Sequence, residues 1–141
     1  MLFNTTYTNK NYITESKQKL GKSFSFFDKI KIGGVGSSRF IIKELSTKLQ
    51  PKSNESYAIK YANIELRPKG IIVHFTNKLG RYSWIIPYYR LVIYSNETFS
   101  IHANGSFIQF IKNKNYKENK KFIQKMTDFK NTFLNLDYYD G

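Results

Sequence analysis

Residues 57–112 are a succession of short apolar runs separated by turn signals, and this constrains the fold more than any other feature of the chain. Ile64 and Leu66 share one face of the run that ends at Arg67, and Pro68-Lys69-Gly70 supplies a turn. From there Ile71, Val73 and Phe75 alternate with Ile72, His74 and Thr76. Alternation of this kind marks a strand with one buried face, and a short turn between two such runs predicts a hairpin. Residues 77–80 form a second turn. The run 82–94 that follows is apolar on both faces and is interrupted by Pro87, which has no N–H to give to a ladder. It is expected to bend or bulge there, as one strand or as two segments. Residues 98–103 and 106–112 flank Asn104-Gly105, a pair that tolerates the positive φ of a type I′ turn.

Around this meander the periodicity changes. Phe122, Met126, Phe129 and Phe133 step by a helical turn, Ile123 and Leu134 widen the apolar arc, and Lys117, Lys121 and Lys125 flank it beside Asp128. The spacing predicts an amphipathic helix over about 118–135 that covers the apolar face of the sheet. Residues 1–23 are polar without a sustained period and read as an arm that is flexible or loosely docked, and 137–141 as a frayed tail. One domain over 24–136 is expected between them. In KIKIGGVGSSRFIIKEL, residues 29–45, an apolar run precedes glycines and serines, so the segment 23–32 reads as a first strand. Ser37 or Ser38 then caps a helix through Ile41 or Ile42, Leu45 and Leu49 that ends before Pro51.

That glycine turn is the one stretch that suggests chemistry. G-x-G-x-x-G needs a third glycine where Arg39 stands, and no GxxxxGK[ST] arrangement occurs. Consecutive hairpins also exclude the parallel strand-helix-strand units of a dinucleotide fold. What remains is a helix start whose free N–H groups would hold an anion, with Gly36, Ser37, Ser38 and Arg39 as the candidate contacts, or a plain turn with serine capping.

With no cysteine and two histidines the chain offers neither thiolate chemistry nor a His-based zinc site, so no metal and no cofactor is expected. His74 and His102 each read as a partly exposed strand residue, and Glu44, Glu65 and Glu97 stand singly, so no catalytic residue is nominated. No apolar run approaches the length that spans a bilayer, and the amino terminus lacks a basic-then-apolar leader, which gives a cytoplasmic expectation. A formal net charge of +13 points to an anionic partner. Yet Lys, Asn, Ile, Phe and Tyr make up 71 of 141 residues, a codon-bias pattern, and only Arg39, Arg67, Arg81 and Arg90 are arginines. The candidate partner face holds Tyr82, Trp84, Tyr88, Arg90 and Tyr94, of which Trp84, Tyr88 and Arg90 would stack on and pair with a ligand. The default reading places these aromatics in the core.

The segments NIELRPKGIIVHF and RYSWIIPYYRLVIY, with the hairpin and amphipathic helix after them, resemble a family of small uncharacterised bacterial proteins. More distantly they resemble bacterial pleckstrin-homology-like (PH-like) domains. The recurring feature is an IPYxxL segment, here residues 86–91, within an overlap of about 57–135. The resemblance implies a bent antiparallel sheet closed by a carboxy-terminal helix, and brings no functional residue. The expectation is therefore an α+β fold with five to six antiparallel strands, a short amino-terminal helix and a packed carboxy-terminal helix; a helix-grip fold is the alternative. The expected function is a non-enzymatic binding or scaffold module whose partner is a protein or an anionic surface. The alternatives are a basic single-stranded nucleic-acid binder, and a ligand carrier or enzyme with an internal pocket.

Overall fold

A computed structural model describes residues 1–49, 60–77 and 80–134. The elements are β1 (Leu2–Asn4), α1 (Lys10–Leu20), α2 (Phe26–Ile32), β2 (Phe40–Leu45), a 3₁₀ turn (Thr47–Leu49), β3 (Tyr61–Arg67), β4 (Gly70–Asn77) and β5 (Gly80–Pro87). A second 3₁₀ turn (Tyr88–Arg90), β6 (Val92–Ser95), β7 (Phe99–Ala103), β8 (Ser106–Phe110), α3 (Lys114–Glu118) and α4 (Lys120–Phe133) follow. The fold is α+β, as expected. The sheet, however, has eight antiparallel strands rather than five or six, in the order β1-β5-β4-β3-β2-β8-β7-β6, and is not closed.

The local signals explain most of these elements. Arg67 pairs with Gly70 across the first hairpin, and Asn104 (φ 51°) with Gly105 (φ 78°) makes the tight second one, with Ala103 opposite Ser106. The 82–94 run divides at Pro87 into β5 and β6, separated by the 3₁₀ turn. β2 is the bridge of the sheet. Phe40 and Ile41 pair with β3, a register shift falls between Ile42 and Glu44, and Leu45 pairs with β8. Phe40 therefore sits at the centre of an aromatic cluster, 5.0 Å from Phe110 and 5.6 Å from Phe99. Both halves of the sheet contribute to this one core, with Val73, Phe75, Trp84 and Ile86 from one side and Ile101 and Ile108 from the other, all buried. α4 covers it with Phe122 and Met126, as its periodicity predicts.

Three expectations at the amino-terminal side are corrected. Residues 23–32 form no strand: the Ser25 side chain accepts the Asp28 N–H at 3.2 Å and starts α2, and Gly33 in the left-handed region ends it with N–H bonds to the Ile30 and Lys29 carbonyls. The glycines thus terminate one helix instead of preceding another. The expected helix after Ser38 is β2, because the register shift spaces Ile42 and Leu45 by three and makes a bulged strand look helical. The arm at 1–23 is built into the fold. β1 pairs with β5, Leu2 opposite Trp84, and α1, capped by Asn9, buries Leu20 against Ile72 and Ile85 on the opposite face of the sheet from α4. The segments 50–59 and 135–141, including the expected tail, lie outside the described residues.

Candidate functional site

The outer face of β3, β4 and β5 carries three bands. The first is apolar and lies under α1, where Leu20 meets Ile72 and Ile85, flanked by Phe3 and Tyr12. The second is a chain of polar groups. Arg67 Nε donates to Glu65 Oε2 at 2.7 Å, and its Nη1 donates to the Gly21 carbonyl at 2.6 Å. His74 Nε2 donates to Glu65 Oε1 at 3.1 Å, since a carboxylate only accepts, and Nδ1 lies 2.7 Å from Ser83 Oγ. Ser83 Oγ in turn lies 2.8 Å from Thr5 Oγ1 on the strand-edge segment after β1. Burial by itself raises the Glu65 carboxyl, but the hydrogen bonds from His74 and Arg67, with the Arg67 charge, outweigh it and bring the pKa down to about 2. Burial, and then the Glu65 carboxylate, push the Tyr12 phenol upward.

Serine, histidine and glutamate in line are the residue types of an acyl-transfer triad, but this chain is a structural one. Ser83 is fully buried, its hydroxyl is engaged on both sides, and the second oxygen of Glu65 is held by Arg67. A nucleophile needs an open approach to its oxygen, which this serine lacks.

The third band is open. Arg39, Tyr61, Asn63, His74, Thr76 and Arg81, together with Ala62 and Phe75, line a depression of about 290 Å³. Arg39 precedes β2 and lays its guanidinium over the Tyr61 ring, 5.1 Å from the centroid. Arg81 is the second residue of β5, and its backbone is pinned at both polar groups: its N–H donates to Thr6 Oγ1 at 2.8 Å and its carbonyl accepts the Thr5 N–H at 2.7 Å. Neither guanidinium has an acidic partner among the described residues. The cleft therefore presents two cations on fixed backbone, with the Asn63 amide and Thr76 hydroxyl between them.

Of the four candidate anion contacts only Arg39 reaches this cleft. No helix starts at Gly36, Ser37 and Ser38. Gly36 bridges to Glu65, the Ser37 N–H donates to the Ile64 carbonyl at 2.8 Å, and the Ser38 N–H donates to Asn119 Oδ1 at 2.9 Å. The amides expected to hold an anion hold the fold instead. Asn119, buried at the junction of α3 and α4, also donates through Nδ2 to the Ser38 and Asn115 carbonyls at 3.2 and 3.0 Å. Asn119→Ala is expected to cost about 1–2 kcal/mol in urea unfolding, because it orphans the Ser38 N–H and releases the segment that carries Arg39.

The candidate partner face does not form one face. Trp84 and Tyr88 turn inward; Tyr88 is fully buried, donates its hydroxyl to the Arg67 carbonyl at 3.0 Å and lies 5.6 Å from Phe133 of α4. Burial raises the Tyr88 phenol. Arg90 is exposed and rests on Tyr89, so it is separated from the two rings expected beside it. The default core reading holds for Trp84 and Tyr88, whereas Tyr82 is partly buried and Tyr94 is exposed. His102 is also a strand residue, set edge-on to Tyr94 and stacked on Phe107.

No group of acidic, histidine or cysteine residues that would hold a metal occurs among the described residues. Among them, too, no helix is long and apolar enough to cross a membrane. In comparisons with known proteins, no family model, no curated protein and no solved structure matches the chain.

Proposed function

We propose that this chain is a non-enzymatic binding module, PH-like in plan, whose partner presents an anionic group, phosphate or carboxylate, to the cleft between Arg39 and Arg81. The observation that carries the reading is the convergence of two guanidinium groups without acidic partners on one open depression. A guanidinium fork matches two oxygens of such a group, and fixed backbone lowers the entropic cost of the match. The acid, base and hydroxyl beside the cleft are consumed in mutual hydrogen bonds, which favours binding over catalysis. The interior between sheet and α4 is occupied by Phe40, Phe99, Phe110 and Met126, which weighs against a carrier. A stacking nucleic-acid binder loses two of its three named residues to the core.

Titration of inorganic phosphate into isotope-labelled protein, followed by amide shifts, tests the reading. Shifts are expected at Arg39, Thr76 and Arg81, saturating together. Arg39→Gln and Arg81→Gln are each expected to weaken binding roughly tenfold. The corresponding lysine replacements fall between, because they keep the charge and lose the fork. Shifts spread over surface lysines and indifferent to these variants would remove the cleft as a site.

A further inference from the structure

α2 is the one helix of the described residues besides the short α3 that buries nothing. It exposes three large apolar side chains together, Phe26 at 73 %, Phe27 at 75 % and Ile30 at 61 %. Phe26 and Ile30 are four apart and Phe27 and Ile30 three apart, so they share a side of the helix, and the two rings meet edge-on at 6.1 Å. The helix is not a loose end that has failed to pack. It is capped by Ser25 and closed at Gly33, with the Gly34 N–H donating to the Lys29 carbonyl at 2.9 Å. Residues on either side anchor it to the core: Phe24 packs 6.0 Å from Phe129, and Val35 joins the main cluster. The chain therefore holds a short helix, capped at both ends, with its apolar side turned to solvent, which costs free energy unless something covers it.

The charges around it say what does. Lys22, Lys29 and Lys31 are exposed in the same segment, and Lys125 places its ammonium on the Gly33 and Gly34 carbonyls at 3.2 and 3.0 Å. Asp28, the lone acid of the helix, lies in its first turn. We propose that α2 docks on an anionic lipid bilayer, with Phe26, Phe27 and Ile30 entering the boundary between headgroups and acyl chains and the lysines resting on lipid phosphates. Apolar side chains ringed by lysine are the composition of an interfacial helix, and each lysine near an anionic surface adds to the attraction. A second copy of the chain fits poorly. Two phenylalanines of about 150–250 Å² each and one isoleucine, all partly covered, fall short of the ~800 Å² per partner of a stable interface. Two bodies of formal charge +13 also repel. The inference is independent of the arginine cleft, which is built from other elements.

Flotation of the full chain with vesicles of equal parts phosphatidylglycerol and phosphatidylcholine, against phosphatidylcholine alone, tests it. Binding is expected to the anionic vesicles, to fall with salt, and to drop roughly tenfold or more in F26S/F27S. Both side chains are about three-quarters exposed, so the variant should unfold close to the wild-type midpoint, which the same preparation checks. Phe27→Trp should shift its emission to the blue on anionic vesicles, over the constant signal of buried Trp84. R39Q/R81Q should float like wild type, which separates this surface from the cleft. No flotation with anionic vesicles, flotation that F26S/F27S leaves unchanged, or self-association abolished by F26S/F27S would each overturn the proposal.

Discussion

Gly70→Ala is expected to destabilise the protein by about 3 kcal/mol or more, read as a fall in the urea midpoint with an unchanged slope. A methyl group there would meet the Ile86 carbonyl oxygen, would lie 2.5 Å from Leu20 Cδ2, and would lie 2.8 Å from Pro87 Cα. Two of these three neighbours are backbone and cannot rotate away. The crowding has a structural cause. Gly70 sits opposite Pro87 at the end of the β4–β5 ladder, and neighbouring Lys69 donates its N–H to the Leu20 carbonyl and accepts the Tyr88 N–H, both at 2.9 Å. The end of α1, the first hairpin and the bend after β5 all converge on a position with no room for a side chain. Leu20→Ala in the same chain should recover little, because it removes only the flexible neighbour. Gly36→Ala is the contrast: nothing lies within 4 Å of its Cβ position, and the change should stay within about 0.5 kcal/mol.

That pair of glycines separates what the sequence could say from what it could not. Gly36 stands in a motif that reads as chemistry, and Gly70 in a turn that reads as routine; only tertiary contacts reverse their importance. Features set by near neighbours were legible. Asn104-Gly105, the break at Pro87 and the apolar stripe of α4 depend on φ preferences and on one residue's period, so they appear where the spacing places them. The segment 24–50 misleads because each of its signals has two readings. Gly33 and Gly34 serve equally to end a helix or to precede one, and a register shift within β2 turns a period of two into a spacing of three.

The sites were hidden for a different reason, since they are built across strands. Glu65, His74 and Ser83 recur at steps of nine because two successive hairpins fold that spacing onto adjacent strands. Arg39 and Arg81 line one cleft because β2 pairs only with the first residues of β3, Phe40 opposite Ala62, while Phe75 of β4 lies opposite Ala62 and Thr76 opposite Arg81. A meander disperses the charges of successive turns over both ends of its strands. That holds for Arg67 and Arg81, which lie at opposite ends of β4, but Arg39 supplies a second cation from outside the meander. The exposure of Phe26 and Phe27 has no local sequence signal, because a pair of phenylalanines is ordinarily core.

Glu65→Ala is expected to cost about 3 kcal/mol at neutral pH, a loss comparable to that of a large core side chain. Arg67 is only 8 % exposed, so removal of the carboxylate leaves a buried guanidinium with the Gly21 carbonyl as its remaining partner. His74 Nε2 loses its acceptor at the same time. Glu65→Gln keeps the shape but loses the charge: its amide oxygen can accept from Arg67, while its NH₂ can donate to His74 Nε2 only after the imidazole proton moves to Nδ1, facing Ser83 Oγ. A smaller loss, about 2 kcal/mol, is expected for it. Acid supplies the check that separates this account from simple loss of packing. The Glu65 carboxyl titrates at about 2 in the folded chain against an ordinary 4.5. The stabilisation of its charged form is therefore complete above the ordinary value and drains away as pH falls from there toward 2. After allowance for the partial exposure of the side chain it amounts to roughly 2–3 kcal/mol. Wild-type stability should fall by that much more than the stability of Glu65→Gln across this window, so that the two curves approach each other in acid. Parallel curves from pH 6 to the acid limit would mean that Glu65 is not held by Arg67 and His74 in solution, and that the polar band of the outer face contributes no electrostatic stability to the sheet that carries the arginine cleft.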